Sequence, residues 1–584
     1  MRVAMPGGRM DGGSRDRGDG YKWTALTNTT LGMLMATVNS SIVIISLPAI
    51  FRGIGLEPLQ PGNIGYLLWM LMGYLVATSV LVVTFGRLGD MLGRVRMYNA
   101  GLLVFTIASV GLAVAPAHGS AGALTLIGLR IVQGVGGALL MANSTAILTD
   151  AFPADQRGMA MGVNQVAGIA GSFIGLILGG VLADIDWRLV FWVNVPIAAG
   201  STIWAYLKLR ETGHRTATTV DWWGNLTFAA GLIMVLIGIT YGIQPHGGHT
   251  MGWTSPTVLI LLIGGAAILA AFMAIERMVA QPMFHLDLFR IRAFSAGNLA
   301  GLLSSIARGG LQFMMIIWLQ GIWLPLHGFD FERTPLWAGI YLLPLTIGFL
   351  VAGPVSGWLS DRFGARPFAT GGMLLAATAF GLLELLPADF SYPVFALLLL
   401  LNGIGSGLFT APNTAGIMNA VPAAQRGVAS GMRATFQNSG FVLSIGLFFS
   451  LMIAGLASSL PHTLFSGLTA NGVPDQVARG VANLPPVGSL FAAFLGYNPI
   501  QTLLGPRVLA SLPPGRAAFL TGQSYFPQLI SGPFGHGLRI VFTAAAALCV
   551  IAAVASWMRG GRYVHVEEEA EPRVPTEAEE SMSA

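Results

Sequence analysis

The chain has 584 residues, of which 54 % are hydrophobic and only 10 % charged, with a net charge of +5. A soluble protein carries roughly 25 % charge. This chain could not cover its surface in water, which excludes a soluble enzyme, a disordered protein and a nucleic-acid binder. Its mean hydropathy of +0.68 predicts an all-α polytopic membrane protein.

Residues 1–22 are Gly-rich with mixed charge and are expected to form a disordered tail. The apolar run after them is too long for a signal-peptide core. A membrane span needs about 20 mostly apolar residues. Fourteen segments qualify, near 24–50, 64–85, 97–116, 121–149, 159–183, 190–208, 222–243, 256–276, 296–320, 336–358, 368–386, 393–418, 428–456 and 538–558. Between the last two lies a long segment, 457–537, with apolar stretches at 487–497 and 499–511. It is expected to form short amphipathic helices or a hairpin on the outer bilayer face, or else a loosely folded loop. Residues 559–584 form an acidic tail.

Lys and Arg orient the spans. Short loops on one side hold 14 of them, counting Arg433, and short loops on the other hold 3, Arg52, Arg188 and Arg333. Both termini are therefore expected in the cytoplasm, with the chain in the cell membrane. The single cysteine, Cys549, sits in an apolar run and allows neither an intrachain disulfide nor a cysteine metal site. There is no P-loop, HExxH or GxSxG motif and no Cys/His cluster. No catalytic residue, metal or cofactor is expected, so transport energy would come from a gradient.

The sequence repeats itself. Gly86, Asp90, Gly93 and Arg94 return as Gly357, Asp361, Gly364 and Arg366 about 271 residues later. Pro153, Gln156, Arg157, Gly158 and Gly162 return as Pro422, Gln425, Arg426, Gly427 and Gly431, 269 later. Asn143 and Ile147 return as Asn413 and Ile417, 270 later. This offset spans eight helices, so a six-helix bundle (23–209), two inserted helices (222–277) and a second six-helix bundle (294–558) are predicted. Parallel repeats of this kind face a shared midplane cavity and rock about it.

These residues resemble the major facilitator superfamily, and most closely its fourteen-span drug:proton antiporter branch. Gly86-x-x-x-Asp90-x-x-Gly93-Arg94-x-Arg96 is similar to the family's inner-gate signature. Leu129-Arg130-x-x-Gln133-Gly134 resembles its fourth-helix arginine motif. Gly171-x-x-x-Gly175-x-x-x-Gly179-Gly180 resembles its fifth-helix antiporter motif. The tract from Trp187-Arg188 through Phe191 and Asn194 to Pro196 is similar to the opening of its sixth helix. The resemblance implies a monomeric secondary transporter in the bilayer that exports small amphiphilic molecules, with a proton gradient as driving force. Export of anionic or lipid-like envelope components, uniport and nutrient import are the alternatives.

Individual residues keep two readings each. Asp90, Arg94 and Arg96 would form a charge network closing the cytoplasmic side, mirrored by Asp361, Arg362 and Arg366; the arginines also serve topology alone. Arg130, with Gln133 on its face, is costly inside a span. The resemblance implies proton coupling for it, against a structural Arg bonded to carbonyls, and its repeat position is Leu400. Arg308, near Ser304, Ser305 and Gln312, either bonds a polar neighbour or lines the cavity. The glycine stripe permits close helix approach, and in the family adds a bend; the proline expected after the second glycine is here Leu176. Asn39 stands where the family's first-helix motif carries an aspartate. With no midmembrane carboxylate evident, either a relocated acid such as Asp184 or Glu384 carries the proton, or a cavity holding Arg130 and Arg308 prefers anions.

Overall fold

The computed structural model describes residues 13–56, 63–116, 118–153, 156–211, 221–279, 282, 284–422, 425–496 and 498–560; of the side chains at 13–19, 157, 158, 361, 426 and 427 nothing is described. Fourteen helices are long and apolar enough to cross a membrane: spans 1 to 14 are Gly20–Ile54, Asn63–Leu92, Arg94–Val114, Gly119–Ala151, Met159–Ile185, Leu189–Lys208, Trp222–Gly242, Pro256–Glu276, Arg292–Leu326, Thr334–Ser360, Ala365–Glu384, Tyr392–Asn419, Val428–Ala470 and Tyr525–Trp557. In hydrocarbon every backbone polar group must be satisfied internally, which leaves the helix as the solution. Several buried hydroxyls are satisfied the same way: Thr29, Thr78 and Ser46 each donate to the carbonyl four residues back.

Helix pairings repeat with a shift of eight spans. Span 2 packs on span 4 as span 10 does on span 12, span 3 on 4 as 11 on 12, and span 1 on 5 as 9 on 13. The halves meet where span 5 crosses span 10 and span 2 crosses span 13. A rotation that carries 2 to 10 also carries 5 to 13, so the two seams are counterparts. Spans 7 and 8 form a hairpin on the 2–13 seam. Thr84 of span 2 donates to Asn225 Oδ1 of span 7 at 2.7 Å, and Gly446 of span 13 faces Ile239 of span 7.

Glycines set the close approaches. A Cβ at Gly171, Gly175 or Gly179 would lie 2.7, 2.6 or 2.8 Å from the carbonyl oxygens of Leu34, Val38 and Ile42. These contacts climb spans 1 and 5 four residues at a time, so the two helices run parallel at backbone contact. Gly180 faces the other half, and its Cβ would lie 2.4 Å from Leu336 Cα of span 10. Next to it, Gly339 approaches the Leu176 carbonyl, and Gln320 Nε2 donates to the Ile45 carbonyl at 3.5 Å. These contacts between the halves lie toward the face opposite the termini. Toward the terminal face, Gly162 of span 5 and Gly353 of span 10 meet nothing within 4 Å. The molecule is sealed on the face opposite its termini.

The ends of several elements differ from expectation. The first helix begins at Gly13, inside the expected tail, and Tyr21 already docks by donating to the Arg210 carbonyl at 2.7 Å. Residues 1–12 and 561–584 of the two expected tails lie outside the described residues. Spans 13 and 14 run on to Ala470 and back to Tyr525. Hydropathy marks where hydrocarbon ends, whereas helical hydrogen bonding continues as long as the two helices support each other. In the segment between them, the helix Pro486–Phe494 does not rest on the bilayer. All nine of its residues are buried. Phe491 stacks on Phe449 of span 13 and Phe494 packs on Phe313 of span 9, while Arg52 Nη1 of span 1 reaches the Leu495 carbonyl at 3.3 Å. A helix that is apolar all round belongs inside protein rather than at an interface, and this one plugs the sealed face between the halves.

Gly175→Ala has to push span 1 aside and should lower stability by roughly 1–3 kcal/mol, read as a drop in the thermal midpoint of the purified protein. Gly180→Ala strains only the seam between halves. It should leave that midpoint near wild type and raise labelling of a cysteine at Leu176, which is 1 % exposed, by impermeant maleimide applied opposite the termini. Unchanged labelling would show that this seam does not hold the face shut.

Candidate functional site

Three polar clusters interrupt the apolar spans. The first joins spans 1, 3, 4 and 6. Arg130 Nη1 donates to Gln133 Oε1 at 2.8 Å, and Asn39 Nδ2 donates to the same oxygen at 3.0 Å. Gln133 Nε2 donates to Ser109 Oγ at 2.9 Å, and Asn194 Nδ2 approaches Asn39 Oδ1 at 3.5 Å. The Arg130 guanidinium also lies 4.8 Å from the centre of the Tyr74 ring and 3.5 Å from the Met70 carbonyl. A cation at the centre of a span costs about 3 kcal/mol. A charged hydrogen bond returns about 1.5–3 kcal/mol and a buried cation–π contact about 2. These terms offset the cost, so Arg130 is held by the protein itself.

The second cluster belongs to the other half, in a cleft of about 20 Å³ lined by spans 9, 12 and 13. Arg308 and Arg433 both line it, with Ser304, Ser305, Thr410 and Gln437. Arg433 Nη1 donates to Gln437 Oε1 at 3.1 Å and to Thr414 Oγ1 at 3.4 Å, but its Nε is buried without a partner. Arg308 has the Phe349 ring 5.7 Å away. Among the described residues, neither arginine makes an ion pair. Arg433 is thus a cavity residue, not a loop cation: one turn into span 13 the helix has left the surface, which the positive-inside tally could not register. The repeat carried a signal, because Arg433 and Thr414 stand 269 and 270 residues after Asn164 and Ser144, themselves paired at 2.8 Å. Arg130 and Arg308, expected in one cavity, fall in separate clusters, and Gln312 does not line the cleft.

The third cluster is on the terminal face. Arg94 Nε donates to Asp90 Oδ1 at 2.9 Å, and its Nη1 pairs with Asp150 Oδ1 at 2.5 Å. Gly93, at φ +112°, turns the chain into span 3. The Glu211 carboxylate caps that helix, accepting from the backbone N–H of Arg94 at 2.7 Å and of Val95 and Arg96 at 3.4 Å. A carboxylate at a helix N-terminus meets unpaired donors and the positive end of the dipole. The Arg96 side chain is exposed and takes no part in the clasp, contrary to expectation; Asp150 and Glu211 take its place. Gly89 lets Asn143 Oδ1 of span 4 approach where a side chain would stand, whereas a Cβ at Gly86 would only touch Ala142 Cβ at 3.9 Å. Beside this clasp, burial and the neighbouring Arg87 hold His285 below the ordinary imidazole range, opposed by Asp287.

The mirror cluster is built differently. Asp361 lies outside the described side chains. Arg362 is exposed, and Arg366 stacks 3.8 Å from the Trp557 ring centre. Arg559, just past span 14, is buried and donates to Asn413 Oδ1; burial lowers it to about 10, still cationic at neutral pH. The acids proposed as relocated proton carriers sit at span ends, Asp184 exposed and Glu384 accepting from Thr543.

Residues 29–445 match the Major Facilitator Superfamily. The chain belongs to this superfamily. Among curated superfamily relatives, it is 27 % identical over 537 residues to the tetracenomycin C resistance and export protein of Streptomyces glaucescens, covering 91 % of each chain. It is 30 % identical to the multidrug resistance protein Stp of Mycobacterium tuberculosis, over 78 % of this chain and 80 % of that one. Among solved structures, an inward-facing, occupied bacterial homologue of the human lysosomal transporter Spinster superposes with a TM-score of 0.54 at 15 % identity, over 92 % of this chain and 97 % of the other. That likeness supports the major facilitator fold, which the spans and their pairings build here as two six-helix bundles with two helices inserted between them.

Gln133→Leu should strip Arg130 and Asn39 of their shared acceptor and cost about 3 kcal/mol, measured by thermal unfolding in detergent. A shift no larger than that of Ser109→Ala would remove Gln133 from the centre of the network.

Proposed function

We propose that this protein is a monomeric exporter of small amphiphilic molecules in the cell membrane, with its termini in the cytoplasm. It works by alternating access and is driven by a proton gradient. The observation that carries the reading is the closed seam opposite the termini, together with a charge clasp on the terminal face. The seam joins the two halves, whereas the clasp ties spans 2, 3 and 4 within the first half, and rocking of two halves needs both a thin seam and firm bodies. The functions of its relatives, antibiotic resistance and export, support the direction and the substrate class, and the bias of Lys and Arg supports the orientation.

Among the described residues no carboxylate lies mid-span, so a proton cannot be carried at the cavity as an aspartate in place of Asn39 would carry it. We place coupling at the clasp. Protonation of Asp90 or Asp150 would release Arg94, loosening span 2 from spans 3 and 4 on the terminal face. The buried Gln133 network would keep spans 1, 3, 4 and 6 together as that half moves.

Everted vesicles with an acidic interior test this reading. Wild-type protein should accumulate an amphiphilic dye, with protons appearing outside as dye enters. Asp150→Asn should keep downhill dye movement and lose accumulation against a gradient. Dye movement with no proton movement in the wild type would leave a uniporter; no dye movement would sink export.

A further inference from the structure

The second cluster is the wrong shape for a structural ion network. Two guanidinium groups share one narrow cleft with no carboxylate among the described residues near them. One has a buried nitrogen without a partner, and the other has only a ring 5.7 Å away. At that separation a cation–π contact returns only about 0.5–1 kcal/mol, and the half-buried Arg308 guanidinium is left open to the cleft rather than bonded within the protein. Arg130 shows what a self-sufficient buried arginine looks like in this same molecule, and these two do not match it.

The geometry points to an anion-binding subsite in the second half: Arg308 and Arg433 hold the carboxylate or sulfonate of an amphiphilic substrate. Spans 9 and 12 are the repeat counterparts of spans 1 and 4, which carry the Gln133 network, so the cleft occupies the matching inward face of its bundle. Its volume of about 20 Å³ admits one or two waters in this sealed state, which suits a charged end group rather than a whole ligand. Phe409, Phe436 and Leu302 line the same cleft and offer apolar surface to the remainder of the molecule. Ser304, Ser305, Thr410 and Gln437 supply neutral donors at its wall, and none of these groups would repel an anion. The planar fork of arginine favours a two-oxygen acceptor over a point charge.

This subsite rests on the export reading for the source of its ligand, and the experiment separates the two. Fluorescein, an anionic xanthene dye, and rhodamine 6G, its cationic counterpart, are bound to the purified full-length protein in neutral detergent and followed by fluorescence anisotropy. Wild type should bind fluorescein the more tightly. Arg308→Gln and Arg433→Gln should each weaken fluorescein about tenfold and leave rhodamine 6G unchanged. Arg433→Lys keeps the charge and should lose less than Arg433→Gln, which distinguishes a charge effect from damage to the fold. Tighter rhodamine binding, absent fluorescein binding, or fluorescein binding unaffected by both glutamine variants would overturn the subsite. Rhodamine transport without fluorescein binding would leave export standing and remove the subsite. Fluorescein binding without transport of either dye would do the reverse.

Discussion

Inside hydrocarbon a polar group must find its partner within the protein, and most of this structure follows from that constraint. It makes every span a helix and turns buried threonines such as Thr29 and Thr78 back onto carbonyls of their own helices. It also explains why Asn39, Ser109, Arg130, Gln133 and Asn194, drawn from four different spans, converge on one hydrogen-bonded group. Each would be expensive alone, and together they lock four helices into one body. The same constraint makes Arg433 conspicuous, because the cleft it shares with Arg308 leaves its Nε without a partner.

Rigidity within a half and mobility between halves come from where close contacts are placed. Along spans 1 and 5 three glycines meet three carbonyls in register, so that pair moves as a unit. Between halves the contacts gather toward one face: Gly180 on Leu336, Gln320 on Ile45, and the plug helix Pro486–Phe494. A hinge of this kind needs firm bodies and a thin seam. The inserted hairpin of spans 7 and 8 lies along the 2–13 seam and gives it an extra wall.

Much of this was legible in the sequence. Hydropathy marked all fourteen spans, and the repeat offset dictated the arrangement of two bundles with an insert. The glycine stripe announced its own use, since residues four apart share a helix face. The charge cluster on the terminal face was only half legible. Gly93 and the Asp90–Arg94 pair are neighbours in sequence, but Asp150 and Glu211 reach them from far along the chain, and no local pattern says which distant acid arrives. Arg96 lies on the solvent side of its helix by its angular position alone. The plug helix was misplaced because an apolar stretch looks the same whether it faces lipid or another helix.

By itself the sequence determined class, span number, internal symmetry and the positive-side bias. All of these are sums over many residues and survive error at any one. Only the tertiary structure decided which polar residues share a cavity. It separated Arg130 from Arg308 and gave Arg308 the company of Arg433. Burial of a single charge depends on the rotation of one helix about its axis, which is fixed by its neighbours. A pattern along one helix does not contain that information.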